Sequence, residues 1–152
     1  MIERHVQTIF CDDIRHEVSN KLSYIGAYSG ELYVQSLPVS LPKLCLAIKV
    51  ITPKEKPLDS LTLRVLKDDE VLQEIVVDED QLAKAVDSLN SSRDDGQLQR
   101  VQMAQFLLVF SPMQLNEPCT LRVRVRVGDE ELRGLGLEIN QIPQGKDEPP
   151  KH

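Results

Sequence analysis

Apolar and polar residues alternate with a period of two along most of this chain, the spacing of side chains on half-buried strands. Val6, Thr8 and Phe10 share one phase and predict a first strand. Leu22 to Tyr28 predicts a second; Ser29-Gly30 is a turn signal, and Leu32 and Val34 continue the extended pattern beyond it. Two prolines in Leu-Pro-Val-Ser-Leu-Pro (37–42) exclude a central strand there. Leu44, Leu46, Ile48 and Val50 then alternate cleanly, with Cys45 and Ala47 on the opposite phase. Apolar residues on both phases predict a central strand covered on much of both faces. After the charged connection Pro53–Pro57, the runs Leu61–Val65 and Val71–Val77 flank Asp68-Asp69 and predict a hairpin.

One helix is predicted, over 79–90. Asp78 and Gln81 form a capping-box-like start, and Glu79 and Asp80 place anions in the first turn. Leu82, Val86 and Leu89 fall on one helical face. A polar loop, Asn90–Gly96, follows. Val101–Phe110 is the longest apolar run and reads as a strand covered on both sides, with a buried helix as the alternative. Pro112 and Pro118 bracket a loop.

The last predicted hairpin alternates Leu121, Val123, Val125 and Val127 with Arg122, Arg124 and Arg126, and turns at Gly128-Asp129-Glu130. Pairing Val127 with Glu131 sets Leu121 against Leu137 and Val123 against Leu135. It also sets Arg124 opposite Gly134 and Arg122 opposite Gly136. Residues 143–152 form a polar tail with nothing to bury, and disorder is expected there. Eight or so short strands with one helix predict a mainly antiparallel, two-sheet β-sandwich, immunoglobulin-like in outline, as a single domain over 1–142.

Composition narrows the function classes. The chain has 152 residues, enough to bury a core without a disulfide or metal staple. With 18 Lys+Arg against 24 Asp+Glu, the net charge of −6 points away from extended nucleic acid, which needs a basic face. No run approaches the ~20 apolar residues of a membrane helix. Met-Ile-Glu-Arg-His lacks the features of a signal peptide, so a cytoplasmic location without membrane attachment is expected. Cys11, Cys45 and Cys119 show no zinc or disulfide spacing and fit buried, free thiols. No phosphate loop, nucleophile elbow or zincin motif occurs, and no cofactor is expected.

Two stretches carry candidate chemistry. Cys11–Glu17 packs Asp12, Asp13, Arg15, His16 and Glu17 just after the first strand, in an expected turn with Arg15 paired to Asp13 or Glu17. Asp12, Asp13, His16 and Glu17 are acceptable metal ligands, although neighbouring aspartates point apart in an extended chain. Cys11 and His16 lack a third group that would orient the imidazole, so a non-enzymatic role fits better than catalysis. The second stretch is the ladder Arg122, Arg124 and Arg126, on one face of a strand with Arg133 nearby. Its like charges suit neighbouring carboxylates, an acidic partner or phosphate.

The stretch Cys11–Tyr28 resembles the N-terminal pattern C-D-D-I-R-x-E-x-x-x-K-x-S-x-I-G-x-Y of a family of small uncharacterised bacterial proteins. Cys11, Asp12, Asp13, Ile14, Arg15, Glu17, Lys21, Ser23, Ile25, Gly26 and Tyr28 match it, and Leu41–Leu44 is similar. The resemblance covers about the first third of the chain. It implies a bacterial source and brings no named activity. Asp12, Asp13, Arg15, Glu17 and Lys21 could form one charge network at a sheet end. The expected function is a protein-interaction module, binding another protein or a second copy through this region, the arginine face or a sheet edge. The alternative is a metal- or small-anion-binding protein that uses Asp12–Glu17.

Overall fold

A computed structural model describes residues 3–56, 58–82 and 101–143. The described chain is mainly β, with several antiparallel sheets and the start of one helix. Strands β1 (His5–Cys11), β6 (Leu44–Pro53) and β9 (Val101–Phe110) form a three-stranded sheet in the order β1-β6-β9. A five-stranded sheet contains β4 (Glu31–Val34), β12 (Glu130–Gln141), β11 (Cys119–Val127), β7 (Leu61–Lys67) and β8 (Glu70–Val77), in that spatial order. Two ribbons complete the paired strands of the described residues: β2 (Asp13–Glu17) with β3 (Lys21–Ile25), and β5 (Val39–Leu41) with β10 (Met113–Leu115).

The central strand predicted from Leu44–Val50 is β6, flanked on both sides and buried on both faces at Leu44–Ile48. Val101–Phe110 is a strand, not a helix, because its core-facing phase (Ala104, Phe106, Leu108, Phe110) packs on the same core as β6. That core also takes Leu63 and Val65 of β7 and Leu121, Val123 and Val125 of β11, so the buried faces of both larger sheets meet in one cluster.

Several expectations change. The second strand stops at Ile25, because Gly26 turns the chain with φ +67°. The stretch after the first strand is itself a strand, β2, rather than a turn. A short strand, β10, lies within the 112–118 segment expected as a loop; it pairs with β5 in the 37–42 segment, which holds no central strand, as expected. β4 runs parallel to β12, a parallel pair within the mainly antiparallel arrangement that was expected.

The last hairpin also departs from the expected register. Its turn is only Gly128-Asp129, so Val127 pairs with Glu130 and Arg124 with Arg133. An extra residue on β12 then restores Leu121 opposite Leu137. This bulge leaves Leu135 81% exposed. Gly134 and Gly136 therefore do not face Arg124 and Arg122. Gly134 lies against the side chains of Val6 and Thr8, and Gly136 against the Leu121 carbonyl. The Thr8 hydroxyl donates to the Leu135 carbonyl at 2.6 Å and ties β1 to β12.

The helix begins as predicted. Residues 79–82 are helical, Gln81 N–H donates to Asp78 Oδ1 (2.9 Å), and Asp78 N–H donates to Gln81 Oε1 (3.1 Å). This is a reciprocal capping box, which satisfies two otherwise unpaired donors. The rest of the predicted helix to residue 90, the 90–96 loop and the tail from 144 onward lie outside the described residues. Among the described residues, no helix is long and apolar enough to cross a membrane.

Candidate functional site

The first candidate is built where β1 turns into β2. Cys11 and Cys45 are directly opposed on β1 and β6, and both are buried. Their thiols donate to the carbonyls of Asp13 (3.4 Å) and Asp12 (3.7 Å). Burial pushes both thiols up from their ordinary value, the state of inert structural cysteines. Asp12 N–H donates to the Ile25 carbonyl (2.9 Å), and Tyr28 N–H to the Phe10 carbonyl (2.8 Å). These bonds fold the β2–β3 hairpin back on the sheet. The Asp12 carboxylate accepts from the Tyr28 hydroxyl and lies over Gly26, where a Cβ would collide with it.

Asp13 pairs with Lys43 at 2.5 Å, and the Lys43 ammonium holds its carboxyl below the ordinary value. Arg15 is therefore not the partner of Asp13. It stands exposed on β2 opposite Ser23. Glu17 accepts from the Ser23 hydroxyl (3.1 Å) and lies opposite Lys21. His16 falls on the other face of β2 from Asp13 and Glu17, by strand alternation. Among the described residues, no three His, Cys, Asp or Glu side chains converge as a metal-holding group. The expected charge network thus divides into the pairs Asp12–Tyr28 and Asp13–Lys43 and the exposed group Arg15, Glu17 and Lys21. Lys43 was missed because it lies 30 positions from Asp13.

Burial, followed by the neighbouring Asp12 carboxylate, raises Tyr28 to about 12. The folded protein then holds this proton more tightly than the unfolded chain does. The resulting contribution to stability is intact below pH ~10 and lost as the pH rises through about 12. Tyr33 is also raised, by its hydrogen bond to Glu31, so an ultraviolet titration is expected to lose one late-ionising phase, that of Tyr28, in Tyr28→Phe. Asp12→Asn should lower its midpoint part-way, because burial remains. An unchanged midpoint would remove Asp12 as a cause.

The second candidate is the outer face of the five-stranded sheet. Val123 and Val125 enter the core, so Arg122, Arg124 and Arg126 face outward. Register brings Arg124 between Arg64 of β7 and Arg133 of β12, in one row across three strands. Arg64 is paired with Glu74 (2.9 Å), and Arg122 reaches Asp69 only at 4.0 Å. Among the described residues, Arg124, Arg126 and Arg133 have no carboxylate within 4.0 Å. Partial burial, then Arg133 and Arg122, pull Arg124 below its ordinary value. Val76 (65% exposed) and Tyr33 (52% exposed) lie towards the two margins of this face. Arg64 was missed because its polar phase marks a strand face without naming the neighbouring strand.

The structure also forms a mainly apolar cleft of about 310 Å³ between β1, β3, β6 and β12, lined by Val6, Ile9, Tyr24, Ala47 and Leu135 among others. No local signal in the sequence joins these residues.

No curated protein and no solved structure matches the chain. A family model does match, over residues 7–140, far beyond the first third on which the sequence resemblance rests. The match runs from β1 into β12, so both candidate surfaces fall within it. The chain belongs to the family of unknown function DUF6941.

Proposed function

We propose that this chain is a non-enzymatic protein-interaction module of the bacterial cytoplasm, and that it docks an acidic partner on the arginine-bearing sheet face. We read the three- and five-stranded sheets as the two layers of a sandwich around their shared core. The row Arg64–Arg124–Arg133, flanked by Arg122 and Arg126, carries the proposal. Like charges directly opposite one another across strands are destabilising, and an acidic partner would relieve that cost. The negative net charge of the whole chain makes this basic face local, which favours a partner of limited size over extended nucleic acid. A metal role at Asp12–Glu17 is less favoured, since Asp12 and Asp13 are already committed to Tyr28 and Lys43.

The test is capture from bacterial lysate with mass-spectrometric identification, comparing wild type, Arg122→Glu/Arg124→Glu/Arg126→Glu and Asp12→Ala/Asp13→Ala, each first shown to fold. A stoichiometric partner with an acidic segment is expected, weakened by salt and lost with the arginine variant. At about 1 kcal/mol per lost contact, three reversals weaken binding roughly a hundredfold. A partner retained undiminished by the folded arginine variant would sink the proposal, as would finding no partner.

A further inference from the structure

A different part of the molecule, the edge of β9 that no described strand pairs with, supports a separate inference. β9 ends the three-stranded sheet: β6 pairs along its entire length, and among the described residues no strand pairs with its other side. It is ten residues long, about 34 Å at roughly 3.4 Å per residue. Its sequence, Val-Gln-Met-Ala-Gln-Phe-Leu-Leu-Val-Phe, contains no charge and no proline. Its register with β6 runs from Val101 to Phe110 without a bulge.

The other margins of the three- and five-stranded sheets are protected. β8 carries Glu70 and Glu74 and a bulge against β7. β4 has only four residues and begins with Glu31. β1 lies against β12 through the Thr8–Leu135 bond. Charges, bulges, short length and cover are the usual ways to prevent edge pairing. β9 has none of the first three. About half of its backbone N–H and C=O groups point away from β6 and need partners.

We propose that β9 pairs antiparallel with β9 of a second copy, so that two three-stranded sheets become one continuous sheet across a two-fold axis. Charge decides for a second copy. In an isologous contact the same patch meets itself, so a charged edge would set like charges against each other near the axis. An uncharged strand in a chain of net charge −6 avoids this repulsion. A charged partner would leave the opposite signature, complementary charges along the edge. The paired seam would lie on a different sheet from the arginine face, so the dimer would leave that face open.

Sedimentation equilibrium across a wide dilution series tests the proposal. Gln105 and Val109 lie on the phase of β9 opposite the core-facing Ala104, Phe106 and Leu108, and Val109 is 57% exposed. Wild type is expected to dimerise. Gln105→Lys/Val109→Lys adds four positive charges to a paired seam and should weaken dimerisation at least about tenfold. Gln105→Thr/Val109→Thr keeps the strand neutral and should remain dimeric. Circular dichroism of all three checks that the fold is retained. Amide exchange in β9 should slow as protein concentration rises. A wild-type monomer at every concentration overturns the proposal. So does a folded lysine variant that dimerises as well as wild type, or β9 exchange that ignores concentration. A monomer that binds an extended peptide along β9 would also overturn it, in favour of a heterologous occupant.

Discussion

Replacing Gly136 by valine is expected to destabilise the protein by about 3 kcal/mol, the upper end of the overpacking range. A Cβ at this position would press into the Leu121 carbonyl oxygen, with the Leu121 carbonyl carbon and Arg122 Cα next in line. These are backbone atoms of the neighbouring strand, so no rotamer change relieves the clash. Relief would require opening the β11–β12 ladder at the bulge, beside the arginine row. A loss of that size should lower the melting temperature by about 6–12 °C for a chain of this length. Gly134→Val should act through a different contact. Its added carbon would lie 2.6 Å from Thr8 Cγ2 and 3.2 Å from Val6 Cγ1, and would push β1 away from β12. Gly128 has open space around it and lies in a turn with φ +59°, so Gly128→Asn, a residue that tolerates this region, should cost far less. Thermal melts followed by circular dichroism rank the three. A Gly136→Val melt that matched wild type would refute the bulge geometry.

Leu46→Ala is the second large expected effect, a loss of about 2–5 kcal/mol. Leu46 is fully buried on β6, with Phe10 of β1 and Leu108 of β9 as its register partners. Both neighbours are anchored in hydrogen-bonded strands, so they can collapse only partly into the space left behind. The cost is therefore the transfer term plus a cavity term. Val109→Ala on the adjacent strand is the internal comparison. Val109 is more than half exposed, and the expected change is within about 0.5 kcal/mol for a monomer. Urea denaturation should show a lower midpoint for Leu46→Ala with an unchanged slope. Equal midpoints for the two variants would contradict the placement of β6 at the centre of its sheet.

Local pattern located most of the strands, for a physical reason. Alternation records which side of a strand meets the core, and it is written in neighbouring residues. Leu61, Leu63 and Val65 therefore announced β7, and Val123 and Val125 announced β11. Asp78 and Gln81 announced the helix start, because a capping box closes within four residues. Alternation could not identify β2. Asp13–Glu17 is nearly all polar, and its pairing with β3 lays it over the sheet rather than in the core. Within the candidate sites, the outward phase of Arg122, Arg124 and Arg126 was legible, while the partners of Asp12 and Asp13, Tyr28 and Lys43, were not.

By itself, then, the sequence determined the β-rich class, the hairpins β7–β8 and β11–β12, the central character of β6 and the shared face of three arginines. Tertiary structure decided which strands became neighbours. It brought Arg64 and Arg133 to Arg124, Lys43 to Asp13, and Leu135 to Thr8 across 127 positions. It also shifted the last hairpin by one residue, because the two-residue turn and the Gly136 bulge answer to packing against β1 and β11. Side-chain phase depends on the nearest residues along the chain. Register and strand order depend on contacts between residues far apart in sequence, and those form only once the whole core is assembled.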